Sequence, residues 1–90
     1  MRLYFIYMNG CGACEGAKPI VKRWQRKHPE VEVKWIDLLT AKWSYPAWQP
    51  RATPTYVAET LGRPKVMYEG ALSEAQMDGF MADARKKMGL

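Results

Sequence analysis

The feature that most restricts this chain is Asn9-Gly10-Cys11-Gly12-Ala13-Cys14, which holds both of its cysteines. An apolar run, Leu3 to Met8, leads into the segment, and apolar residues at helical spacing follow it. The pair therefore falls where a strand ends and a helix begins. A helix N-terminus carries N–H groups without intrahelical partners and the positive end of the macrodipole. Both favour a thiolate over a thiol, and such a site lowers a cysteine pKa from about 8.5 by about one to several units. Cys11, at the end of the turn, is expected to be the exposed and activated sulfur. Cys14 lies one helical turn deeper and is expected to be shielded.

Three chemistries compete for the pair: a dithiol that cycles with a disulfide, half of a zinc or iron–sulfur site, or two inert core thiols. Structural zinc takes about four ligands, and the chain offers two Cys and one His. A complete metal site would need carboxylates, water or a second subunit. Thiols at this spacing after a βα turn are the pattern of redox motifs in cytosolic proteins. The redox reading therefore leads, and Thr53-Pro54-Thr55 further along strengthens it.

Ninety residues make one domain, 1–90, with a core of modest size. Two cysteines so close in sequence are not a secreted disulfide framework. The apolar run near the N-terminus is too short for a signal peptide and lacks a cleavage pattern, and nothing has the length of a membrane span. A reducing cytoplasm is the expected compartment. The net charge of +5 comes from 14 basic and 9 acidic residues. Lys18, Lys22, Arg23, Arg26 and Lys27 fall mostly on one side of a single helix, as a solvated face does. No pattern of a nucleic-acid-binding module is present. The charge instead suits the steering of acidic protein partners.

Leu3 to Met8 reads as a central strand buried on both faces. Gly10 allows a sharp turn and leaves the approach to Cys11 open. From about Gly12 to His28, Cys14, Ala17, Val21 and Trp24 recur at helical steps, and Pro19 is expected to kink the axis. His28 precedes Pro29 and reads as a helix-end residue, about 25 Å from Cys11 along the axis, rather than a proton carrier. Val31 to Asp37 reads as a second strand, parallel to the first through a right-handed crossover. There Val31, Val33 and Trp35 share a face, and Lys34 is a strand-edge charge. A short helix is expected from about Leu39 to Ser44, limited by Pro46. Trp43 and Trp48 suit either the core or a rim for partner proteins. Tyr56 to Glu59 and Lys65 to Glu69 form an antiparallel hairpin across Leu61-Gly62-Arg63-Pro64. Ser73 and Gln76 make a capping box for a last helix, whose core stripe is Met77, Phe80, Met81, Ala84 and Met88.

The order is thus βαβ, a short helix, ββ, then α. With Cys-x-x-Cys at the first βα junction, Pro19 eight residues after Cys11 and Pro54 at the third strand, nearly the whole chain resembles the thioredoxin and glutaredoxin superfamily. Glu69 to Met77 is similar to the last strand-to-helix junction of bacterial thioredoxins. The resemblance implies an α/β thioredoxin fold with a central four-stranded mixed sheet and helices on both faces. It implies a thiol-disulfide oxidoreductase, an electron carrier in cell redox homeostasis, with Cys11 and Cys14 as its catalytic pair and redox-active disulfide. Pro54 is then cis and faces the sulfurs. An extended substrate segment lies against Gly10, Gly12, Ala13, Thr53 and Pro54, with the backbone N–H and C=O of Thr53 presented to it. Disulfide-containing proteins are the implied partners, with no nucleic acid, no membrane and no tightly bound cofactor or metal. Electrons come from a reductase using NADPH, such as a thioredoxin reductase, or from glutathione. A monomer is expected, compact enough to suit a virus-encoded member.

The departures matter as much. Thioredoxins usually carry Trp before the first cysteine and Gly-Pro inside the pair; Gly10 and Gly12-Ala13 stand here. The buried aspartate that thioredoxins place six residues before the nucleophile falls at Phe5, and Lys34 matches the lysine that accompanies it. Glutaredoxins carry Pro-Tyr inside the pair and Gly-Gly near the last helix, where this chain has Gly70-Ala71. A glutathione-dependent glutaredoxin is the alternative within enzymes, with Arg51 and Lys18 as carboxylate contacts. A dimer binding zinc or an iron–sulfur cluster stands further off, and a nucleic-acid-binding domain with incidental thiols further still.

Overall fold

The computed structural model describes residues 1–40 and 52–90. Among these residues, four strands and two helices follow in the order β1 (Arg2–Tyr7), α1 (Gly12–Lys27), β2 (Glu32–Asp37), β3 (Thr55–Glu59), β4 (Val66–Glu69) and α2 (Glu74–Lys87). The sheet order is β2-β1-β3-β4. β1 pairs with β2 in parallel, from Arg2 opposite Glu32 to Tyr7 opposite Asp37. It pairs with β3 antiparallel, Leu3 opposite Ala58 and Ile6 opposite Thr55. β4 extends the sheet antiparallel to β3. The near-continuous apolar run of β1 thus belongs to an interior strand, as such runs require.

Side-chain alternation divides the sheet. Leu3, Phe5, Tyr56 and Ala58 face one way and meet Ala17, Val21 and Trp24 of α1 with Met77, Met81 and Ala84 of α2. Val31, Val33 and Trp35 join them. Tyr4, Ile6 and Val57 face the other way, beside Ile36 and Leu38. Both described helices therefore lie on one face and pack on each other. Two ion pairs from α1, Arg23 and Lys27 to Glu74, brace that contact at 3.8 and 3.3 Å. The expected helix between Leu39 and Ser44 lies mostly outside the described residues; its first two residues, Leu39 and Thr40, are in a turn. Trp43, Trp48 and Arg51 are also outside them.

Helix ends form where the residues predict. α1 runs through Pro19 and stops at His28, which caps its C-terminus. α2 begins at Ser73 with both hydrogen bonds of a capping box. The buried Tyr56 hydroxyl accepts from Leu72 N at 3.3 Å, tying the entry of α2 to β3. Strand ends shift by a residue: β1 starts at Arg2 and stops at Tyr7, and β3 gains Thr55.

Candidate active site

The C-terminal end of β1 delivers the cysteines. Gly10 takes a positive φ of 84°, a backbone region that costs other residues about 1 kcal/mol or more. Cys11 N then donates to Met8 O at 3.4 Å and closes the turn. Cys11 is the N-cap of α1, with extended φ and ψ of −87° and 114°. Its sulfur accepts from Cys14 N at 3.2 Å, and its carbonyl accepts from Glu15 N at 3.0 Å as the first helical bond. The sulfur thus occupies the place a serine or aspartate oxygen takes at ordinary helix starts. A Cβ added at Gly12 would meet no heavy atom within 4 Å, so the space beside the sulfur is open. Ala13 is exposed on the same turn.

Forty-two residues later in sequence, Thr53 returns to this point, its carbonyl 3.5 Å from Cys11 Sγ. The Thr53–Pro54 peptide bond is cis, and Pro54 is buried. Two hydrogen bonds fix the loop. Thr55 Oγ1 donates to Ala52 O at 2.6 Å, and Gly70 N donates to Pro54 O at 2.9 Å. Gly10, Cys11, Gly12, Ala13, Cys14, Thr53 and Pro54 therefore converge at one end of the sheet.

The two thiols differ in environment. Both are free; Cys11 is half-buried and Cys14 fully buried. Cys11 is held below the ordinary cysteine range, first by a hydrogen bond from the Cys14 thiol and then by one from the Thr53 side chain. The backbone N–H groups of Cys14 and Ala13 add to this, against a smaller opposing effect of burial. Cys14 is pushed up, chiefly by burial and next by its bond to Cys11. Hydrogen bonds to the charged form and burial are the two opposing causes here, and they order the pair: Cys11 ionises first.

Other candidates are placed as follows. Phe5 is fully buried and packs edge-on to Trp35 and tilted against Tyr56, so an aromatic ring fills the position where thioredoxins keep a carboxylate. Lys34 pairs with Glu32 at 3.1 Å on the surface. His28 stacks on Trp24 and lies 3.3 Å from both Glu30 and Asp78, at the far end of α1. Lys18 is close to the turn, and its Nζ donates to Asn9 Oδ1 at 3.2 Å and to Glu15 Oε1 at 2.9 Å. Sequence reading missed this cluster, although the i,i+3 spacing of Glu15 and Lys18 was its signal. It also missed the anchoring role of the Tyr56 hydroxyl, for which the sequence held none.

A cavity of about 620 Å³ lies at the opposite end of the sheet, between Arg2, Glu59, Thr60 and Arg63. Large cavities are the usual first guess for a site. The cysteine pair lies at the other end, where the Cys11 sulfur is half open to solvent. Among the described residues, no three His, Cys, Asp or Glu side chains group as metal ligands, and no helix is long and apolar enough to cross a membrane.

A four-stranded mixed sheet with a Cys-x-x-Cys pair capping the first helix defines a thioredoxin-like fold. Solved thioredoxins share it. The germline-specific thioredoxin Deadhead of Drosophila melanogaster superposes with a TM-score of 0.78 at 25% identity, over 91% of this chain and 78% of its own. The thioredoxin of Fasciola hepatica gives 0.79 at 23%, over 92% and 79%. Mitochondrial thioredoxin 3 of Saccharomyces cerevisiae gives 0.76 at 21%, over 90% and 76%. No protein-family model and no curated protein matches the sequence. The fold is that of the thioredoxin-like superfamily, and the chain carries the cysteine pair at its first helix.

Proposed function

We propose that the protein is a thiol-disulfide oxidoreductase that reduces protein disulfides through Cys11 and Cys14. One observation carries this reading: a half-exposed sulfur caps the N-terminus of α1 and accepts a hydrogen bond from the backbone of Cys14, whose own free thiol is buried one turn further on. The Cys11 thiolate attacks one sulfur of a substrate disulfide, and the other sulfur leaves with the electron pair and takes a proton from water. Cys14 then attacks Cys11 Sγ, displacing the second substrate sulfur and closing the Cys11–Cys14 disulfide. Two electrons pass to the substrate. The chemistry needs no bound metal or organic cofactor.

Gly10, Gly12, Ala13, Thr53 and Pro54 frame the sulfur and serve as the substrate-docking surface, in a protein that acts as a monomer in a reducing compartment. A reductase with NADPH restores the dithiol. Glutathione as donor has less support, because Lys18 is already engaged by Glu15 and Asn9.

The test is insulin-disulfide reduction with thioredoxin reductase and NADPH, run beside glutathione and its reductase. Turnover in the first system is expected. Turnover only in the second assigns a glutaredoxin, and none in either, with Cys11 unreactive, rejects the exchange reading.

A further inference from the structure

The second half of the exchange poses a problem that the fold answers in its own way. Cys14 must lose a proton while buried, and burial holds it as a thiol. Once Cys11 is joined to a substrate, it no longer offers its own sulfur as a partner. Phe5 is a fully buried aromatic ring and supplies no carboxylate.

Lys18 follows Cys14 by four residues, hence on the same helix face, and helical side chains lean towards the N-terminus. Its Nζ reaches back to Asn9, in the turn that precedes Cys11, and to Glu15. It also sits 4.7 Å from the centroid of the Tyr7 ring. Only a quarter of the side chain is exposed, at 23%. Three groups thus hold one cation against the first turn of α1: the Asn9 amide, the Glu15 carboxylate and the Tyr7 ring. Asn9 is held in turn by Asp37 of β2 at 3.4 Å. Among the described residues, Cys11, Tyr56 of β3 and Lys18 each interact electrostatically with Cys14, and Lys18 is the cation of the three.

We propose that Lys18 is a positioning residue for the resolving step: its ammonium, fixed over the strand–helix turn, stabilises the Cys14 thiolate that attacks the Cys11 mixed disulfide. The inference rests on the exchange reading above. In the step, the Cys14 proton passes to water. The thiolate electron pair forms the Cys14–Cys11 bond as the Cys11–substrate bond breaks, and the departing sulfur is reprotonated from water. Lys18 keeps its proton throughout. Glu15 opposes it, because a carboxylate 2.9 Å from Nζ offsets part of the positive charge. The pair therefore makes a prediction of opposite signs, which a merely structural ion pair does not.

Stopped-flow reaction with an uncharged dipyridyl disulfide separates the steps. The first thiopyridone is released when Cys11 attacks, and the second when Cys14 resolves the mixed disulfide. Lys18→Met should leave the first release unchanged. It should slow the second about threefold to tenfold near neutral pH, as loss of a nearby opposite charge does, and move its pH profile upward. Lys18→Arg should restore the profile, and Glu15→Gln should move it downward. An unchanged second profile in Lys18→Met overturns the proposal, as does a slower second release in Glu15→Gln, which would make that carboxylate the proton acceptor. Absence of the first release in the unmodified protein sinks the exchange reading itself, whatever Lys18 does.

Discussion

The two helices start in the same way and for different ends. At α2, Ser73 Oγ accepts from Gln76 N at 3.1 Å, and Gln76 Oε1 accepts from Ser73 N at 2.9 Å. Leu72 N, one residue earlier, is taken by Tyr56. At α1 the cap is a sulfur, half open to solvent, that accepts from Cys14 N at 3.2 Å with no reciprocal side-chain bond among the described residues. Hard oxygen acceptors and reciprocal bonds satisfy the orphan donors of a helix end well. A thiol is a weak acceptor, and its thiolate a strong one. The start of α2 is built for stability. The start of α1 leaves its donors short of a partner until Cys11 ionises, and that shortfall is what favours the reactive form.

The largest expected effect exploits this contrast. Cys11→Ser should take insulin reduction to the uncatalysed background. Serine is a preferred N-cap, so chemical denaturation should show stability of the dithiol form unchanged or raised, within about 1 kcal/mol. Cys14→Ser should still attack substrate but accumulate mixed disulfides, visible as an added mass on Cys11. If Cys11→Ser keeps the attack and Cys14→Ser loses it, the roles of the two sulfurs are reversed.

At α2 the effects should fall on stability alone. Tyr56→Phe strands the buried Leu72 N–H, and an unsatisfied buried donor costs about 1–3 kcal/mol. Ser73→Ala opens the capping box and should cost about 1 kcal/mol. Both variants should reduce insulin at the unmodified rate per folded molecule. A loss of rate in Ser73→Ala at full folding would mean that the two helix starts are coupled through the core they share.

Much of this division was legible in the residues. The capping box needs only Ser73 and Gln76 at the right spacing, and the apolar steps from Cys14 to Trp24 need only helical periodicity. Short-range patterns of that kind carry their own geometry. The meeting of Cys11 with Thr53 is different, since it joins residues 42 apart in sequence; resemblance to a known family suggested it, and no local spacing did. The Tyr56 hydroxyl and the Lys18 cluster were illegible for a further reason. A hydroxyl on a strand and a lysine on a helix are ordinary, and only the packing of β3 under α2, or the turn folded against α1, gives them a partner. Lys34 shows the converse. Its match to a thioredoxin lysine drew attention to it, yet its ion pair with Glu32 keeps it on the surface.

The smallest effect is the one that measures the α1 cap directly. Alkylation follows the thiolate fraction, so Cys11 should react with iodoacetamide with a midpoint below that of an ordinary cysteine, while Cys14 stays protected in the folded dithiol. The Cys14 thiol is the first cause of the lowering at Cys11. Cys14→Ala should therefore raise the midpoint, and Cys14→Ser, which keeps a donor, should raise it less. The same shifts set the pH dependence of stability. Between the lowered pKa of folded Cys11 and the unfolded value near 8.5, the unfolded chain binds the extra proton, so stability of the dithiol form rises with pH. Above that window the raised pKa of Cys14 reverses the sign, because the folded chain then holds a proton that the unfolded one has lost. A dithiol form whose stability falls with pH throughout the window would mean that the sulfur at the start of α1 is an ordinary thiol, and the contrast between the two helix starts would disappear.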